Sequence, residues 1–159
     1  MRRLIPIAVS LAAFLVLFSC SSIECTQGKV VVCKYELADS LLNDTLSVDV
    51  ILGNGNDSTL LNRLTGAVDF SIPVSYTQPT DVLMFHFADT LGTCRTDTVR
   101  LSKSDIPHFE SVDCSPSFFH EIKSVTTTCH VIDSIVILNP SITYEDVTSH
   151  LRIHLHPGH

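Results

Sequence analysis

Tryptophan is absent from the chain and methionine occurs only twice, and aromatics make up 7% of the 159 residues. Three tyrosines and no tryptophan leave little with which to stack on sugar faces, which argues against a carbohydrate-binding module. Basic residues are also few, 10 against 17 acidic ones, for a net charge of −7. No basic stripe exists to neutralise phosphates, so a nucleic-acid partner is excluded. Charged residues of both signs reach only 17% against 45% hydrophobic, the reverse of a disordered chain. There is no C-x-x-C pair for a cysteine-zinc site or a redox dithiol. Nor is there a G-x-S-x-G elbow, an H-E-x-x-H helix motif or a phosphate-binding loop. The carboxylates could supply an acid/base pair, but no spacing singles out two of them. No apolar run reaches the roughly 20 residues needed to cross a bilayer.

One shorter apolar run is present, from Leu4 to Phe18, behind Arg2 and Arg3 and broken only by Pro6 and Ser10. A basic start, a short apolar stretch and a small residue before a cut are the parts of a secretory signal. Leu17-Phe18-Ser19-Cys20 resembles the bacterial lipobox. That resemblance implies diacylglycerol transfer to the Cys20 thiol, cleavage before it, and palmitate-type acylation of the new amine. Several acyl chains, each worth about 0.8 kcal/mol per buried CH₂, anchor stably where one binds marginally. Residues 1–19 are therefore expected to be a lipoprotein signal peptide, and 20–27 a lipidated tether. Loss of Arg2 and Arg3, with no acid lost, takes the net charge from −7 to −9. Ser21 rather than Asp follows the cysteine, which by resemblance to lipoprotein sorting rules points to the outer membrane, on either its periplasmic or its surface side.

From residue 28 onward apolar and polar residues alternate. Leu46, Val48 and Val50 share a face; so do Val68, Phe70 and Ile72, then Leu83, Phe85 and Phe87, and finally Leu151, Ile153 and Leu155. A period of two marks half-buried strands. Turn residues recur at Gly53-Asn54-Gly55-Asn56, Gln78-Pro79-Thr80-Asp81, Leu91-Gly92-Thr93, Ser115-Pro116-Ser117 and Asn139-Pro140-Ser141. No stretch keeps a helical period for three turns. The expectation for 28–159 is one all-β domain, an antiparallel β-sandwich of Ig-like or related type.

The segments His108-Phe109-Glu110-Ser111-Val112-Asp113-Cys114, Ser117-Phe118-Phe119-His120, Ile132-Asp133-Ser134-Ile135, Asn139-Pro140 and His150-Leu151-Arg152-Ile153 resemble a family of uncharacterised lipoproteins from Bacteroidota. The resemblance covers nearly the whole mature chain and implies lineage and localisation, not chemistry. Beyond Cys20 the chain holds Cys25, Cys33, Cys94, Cys114 and Cys129, an odd set in an oxidising compartment. The family resemblance favours a Cys25–Cys114 bridge. Such a bridge would contribute roughly 4–5 kcal/mol in the chain-entropy model.

Histidine offers the remaining chemistry. His154 and His156 lie two apart on an expected strand, with His150 on the same outward face, an arrangement able to hold zinc or copper if a carboxylate joins. The plainer account is a solvent-facing strand. His108, Glu110 and His120 form a second set only if the hairpin register puts them on one face. Six Asp-(Ser/Thr)-aliphatic or Asp-Ser-Thr triplets, at Ser40, Thr45, Ser58, Thr90, Thr98 and Ser134, resemble the O-glycosylation signal of exported Bacteroidota proteins. They equally suit aspartate capping a turn before a strand; Thr98 and Ser134, expected inside strands, are the weakest candidates because a glycan needs exposure. The expected function is a non-enzymatic outer-membrane lipoprotein that binds or scaffolds an envelope protein or ligand, with membrane contact through Cys20 and no cofactor. The alternative is a metal-binding module or metal-dependent enzyme using the outward histidines.

Overall fold

The computed structural model describes residues 30–38, 42–53, 57–112, 114–144 and 148–157. The expected signal peptide, its Cys20 and the tether up to Gln27 lie outside them. The described residues form ten strands and no helix: β1 (Val32–Leu37), β2 (Thr45–Val50), β3 (Ser58–Leu64), β4 (Asp69–Pro73), β5 (Thr80–Ala88), β6 (Cys94–His108), β7 (Ser117–Thr126), β8 (Ile132–Ile137), β9 (Ser141–Ile142) and β10 (Leu151–Leu155). They build a four-stranded sheet, β4-β1-β10-β8, packed against a six-stranded sheet, β3-β2-β5-β6-β7-β9. The arrangement is sandwich-like, with one sheet curled into a half-barrel.

Alternation explains the core. Leu46, Val48 and Val50 of β2, Leu83, Phe85 and Phe87 of β5, and Leu151 and Ile153 of β10 are all buried between the sheets. Val68 departs from the pattern: β4 begins only at Asp69, so Val68 sits in the preceding turn and is mostly exposed. Tyr35 from the smaller sheet stacks on Phe70 at 5.1 Å and meets Phe85 of the larger sheet at 5.9 Å. That aromatic triangle ties the two layers together, with offset and tilted rings as the π-quadrupole favours.

One pairing differs from the antiparallel expectation. β10 runs antiparallel to β8 but parallel to β1. A parallel pair needs a long crossover, and here the whole intervening chain supplies it, since β1 and β10 are the first and last strands.

Strand β6, at 15 residues, spans both halves of its sheet, pairing with β5 from Cys94 to Ser102 and with β7 from Arg100 to His108. Its odd-numbered residues from Asp97 to Lys103 point inward and are buried: Asp97, Val99, Leu101 and Lys103. In β7 the register slips between its partners Ser102 and Lys103, so that Lys123 is an extra residue. A bulge of this kind reverses the parity of every residue beyond it. Val125 packs against the core on one side of the slip, and Ile122 and His120 are buried on the other.

Candidate functional site

The inward row of β6 carries charge where a sandwich core calls for apolar side chains. Toward one end stands Asp97, with no exposed surface. Its Oδ1 accepts the His130 N–H and the Thr128 hydroxyl, both at 2.7 Å, and its Oδ2 accepts the Val131 and Ile132 N–H groups at 2.7 and 2.8 Å. Burial alone would raise this carboxyl, but the backbone N–H groups and the hydroxyl outweigh it and hold the group below the usual carboxylate range. The loop it binds carries the chain from β7 in the larger sheet to β8 in the smaller one. Asp97 is thus the clasp of that crossover.

Toward the other end lies a denser cluster. The Lys103 ammonium, its side chain wholly buried, donates to the Gln78 carbonyl at 2.7 Å and to Asp105 Oδ1 at 3.1 Å. The same Asp105 oxygen accepts from His120 Nδ1 at 2.7 Å across the β6–β7 ladder, where the two residues are direct partners. Asp81 Oδ2 accepts the Ser75 N–H, while its buried Oδ1 has no partner. Burial pushes the Asp81 carboxyl up, against the pull of Lys103. Burial likewise lowers His120, outweighing the carboxylate beside it. His120 is therefore the neutral tautomer with its proton on Nδ1.

This cluster backs onto a cleft. Val30, Val31 and Val74 from the smaller sheet and Pro116, Ser117, Phe118 and His120 from the larger one enclose, with Tyr76, about 320 Å³. The Tyr76 ring, 62% exposed, stacks on Phe118 at 5.0 Å and 6°. The turn after β4 fixes it: the Ser75 hydroxyl accepts the Thr77 N–H at 3.1 Å, and Asp81 holds the Ser75 N–H. His120, only 2% exposed, is the polar wall of an otherwise largely apolar hollow. The arrangement offers a hydrogen-bond acceptor between apolar surfaces. Among the described residues no serine, threonine or cysteine is hydrogen-bonded to the His120 ring, whose partner is Asp105.

Other expected sites fall elsewhere. His150 does not face outward with Arg152. It is buried, its Nδ1 accepts the Lys34 N–H at 2.9 Å, and its own N–H donates to the Lys34 carbonyl. It precedes β10, where the parallel ladder with β1 begins, and its imidazole satisfies a backbone donor there. His154 lies opposite Ser134 on β8, and His156 Nδ1 is 3.6 Å from Asp133. Among the described residues no group of three or more His, Cys, Asp or Glu could hold a metal ion. His108 and His120 sit on opposite faces of the sheet. His108 pairs with Ser117, stacks on Phe119 at 4.4 Å and meets the edge of Tyr144.

Cys33 is buried in the core, and burial pushes its thiol up to about 12, so it stays protonated. Cys94 and Cys129 are exposed free thiols, whereas Cys114 is not free. Cys25 and Ser40 lie outside the described residues. Of the remaining triplets, Ser58 and Thr90 are exposed and Thr45, Thr98 and Ser134 are half-buried. Asp89 Oδ1 accepts the Leu91 and Thr93 N–H groups, the turn-capping role expected of such an aspartate.

Sequence reasoning missed Asp81, Asp97, Lys103 and Asp105. A signal existed in the two-residue spacing of Asp97, Val99, Leu101, Lys103 and Asp105, which places three charges on an apolar row. No curated protein and no solved structure matches the chain. A model of a family of unknown function, DUF6452, matches residues 45–155, which include β2 to β10 and both charged clusters.

Proposed function

The chain belongs to the family of unknown function DUF6452, and from that premise we propose that it is a lipid-anchored, non-enzymatic binding module of the bacterial outer membrane that engages its partner through the cleft at Tyr76, Phe118 and His120. The cleft carries this reading: an apolar hollow with one convergent polar group and a shifted pKa is the standard form of a ligand site. Support for the anchor comes from the lipobox at Leu17–Cys20. Val30, on the cleft wall, follows Cys20 by ten residues, which span at most about 36 Å when extended. The opening therefore stays close to the membrane surface. A Cys25–Cys114 bridge would tighten this further, because Cys114 precedes the cleft residue Pro116 by two positions. In favour of that bridge, Cys114 is not free, and lipidation of Cys20, as proposed, would leave Cys25 as its partner outside the described residues.

Crosslinking in native membranes followed by recovery of the protein tests the reading. One or more specific envelope components should be recovered with the wild type and lost with Phe118→Ala. Recovery that is unaffected by Phe118→Ala would remove the cleft from the function. Intact mass of the native protein should show the chain starting at Cys20 with its acyl additions, and any further mass would report glycans at Ser58 or Thr90.

A further inference from the structure

The chemistry of the cleft narrows what it can take, given the binding role proposed above. His120 Nδ1 is committed to Asp105, so the ring presents Nε2 as an acceptor, and Nε2 has no partner among the described residues. The Lys103 ammonium is not available to a ligand: it is wholly buried and bonded to Gln78 and Asp105. No lysine or arginine appears among the described residues lining the hollow. Behind His120 the Lys103 ammonium and the Asp105 carboxylate are paired at 3.1 Å and offset one another, so no unpaired positive charge draws an anion to the hollow. The walls are valine, proline and a stacked aromatic pair, suited to a flat ring. At about 320 Å³ the hollow lies at the small end of ligand pockets and accommodates one ring system.

We propose that the cleft binds a small, uncharged aromatic molecule carrying one hydrogen-bond donor, an indole or a phenol, with the donor on His120 Nε2 and the ring against Phe118 and the valines. Acceptor-only and anionic aromatics are rejected, the first because they leave Nε2 covered without a donor, the second because no cationic side chain lines the hollow to offset the desolvation of their charge.

The chain has no tryptophan, so indole emission excited on the red edge, where the three tyrosines absorb little, reads binding directly. The lipidated full-length protein in nanodiscs, with empty nanodiscs subtracted, is titrated with indole, N-methylindole and indole-3-acetate. Indole should bind saturably, one per chain. N-methylindole, which lacks the donor, should bind about tenfold more weakly, and indole-3-acetate more weakly still. His120→Phe keeps the ring volume and should make indole and N-methylindole equal. If that variant fails to fold, the same contrast in the wild type and a ¹⁵N shift of His120 Nε2 on adding indole carry the test. Absence of saturable binding, equal affinity for indole and N-methylindole in the wild type, or preference for the acid overturns the proposal. Should indole fail while Phe118→Ala still abolishes crosslinked recovery, the ligand class falls and the cleft reading stands; failure of both removes both.

Discussion

Asp97 and the Lys103–Asp105–His120 group are buried charges satisfied in different ways, the first by backbone donors and the second by side chains of opposite charge. Asp97 is satisfied by three backbone N–H groups and a hydroxyl. Replacing it with alanine strands those donors in the interior and should cost about 3 kcal/mol by urea denaturation. Lys103→Met leaves Asp105 and Asp81 without their cation and should cost about 3–5 kcal/mol, whereas pairing it with Asp105→Leu should recover much of that loss. The pH response follows from the signs. Asp97 titrates below its unfolded value, so its contribution is complete above about pH 3.9 and is lost as pH falls through the folded value. Asp81 acts oppositely: its folded carboxyl keeps the proton longer, so stability declines as pH rises from about 3.9 through its raised folded value. His120 is depressed, so the unfolded chain takes up protons first, and acidification below about 6.5 destabilises the fold. Denaturation midpoints of Asp81→Asn across pH 3–7 should lack the decline above pH 4 and keep the loss at the acid end.

At the scale of strands, bulges decide which side chains meet. The bulge at Lys123 keeps Ile122 and His120 inside; strict alternation from Val125 through Lys123 would turn Lys123 and Glu121 inward instead. Deleting Lys123 removes the bulge and leaves Ile122 opposite Lys103 and His120 opposite Asp105, so the fold should survive, with urea denaturation showing a loss below about 1.5 kcal/mol. A second irregularity lies in β3, where Asn62 and Arg63 face the single residue Ser47. Arg63 is left-handed, with φ of 54°, and its N–H is held by the Ser47 hydroxyl at 3.1 Å. A side chain there costs about 1 kcal/mol relative to glycine. Arg63→Gly should raise the unfolding midpoint by roughly that amount, with Ser47→Ala lowering it.

For the whole molecule, the smaller sheet is assembled from the two ends of the domain. Its central strands β1 and β10 are the first and last to be made, and they lie side by side in parallel. Contacts so distant in sequence make loop closure the slow step, so folding is expected on a millisecond-to-second scale by stopped-flow. Removing residues from Leu151 onward deletes an inner strand, exposes the apolar faces of β1 and β8, and unpairs Tyr35, Glu36 and Leu37 of β1 and the facing residues of β8. The truncated chain should show no dispersed amide spectrum.

Much of this architecture is written locally. Alternation at Leu46–Val50, Leu83–Phe87 and Leu151–Ile153 specified strands and their inner faces, because a period of two leaves one choice of side to bury. Composition leaves no basic stripe for a nucleic acid, and the absence of tryptophan limits aromatic stacking. What the sequence could not carry was register and adjacency. His150 looks outward by parity yet is drawn in to cap Lys34, and His120 faces inward because a bulge at Lys123 breaks the alternation of β7. Gln78, Lys103, Asp105 and His120 come together from three separate segments, and their hydrogen bonds depend on which strands are neighbours. Strand identity is a property of short windows and was legible in them. The cleft and its acceptor arise from long-range pairing, which only the folded chain determines.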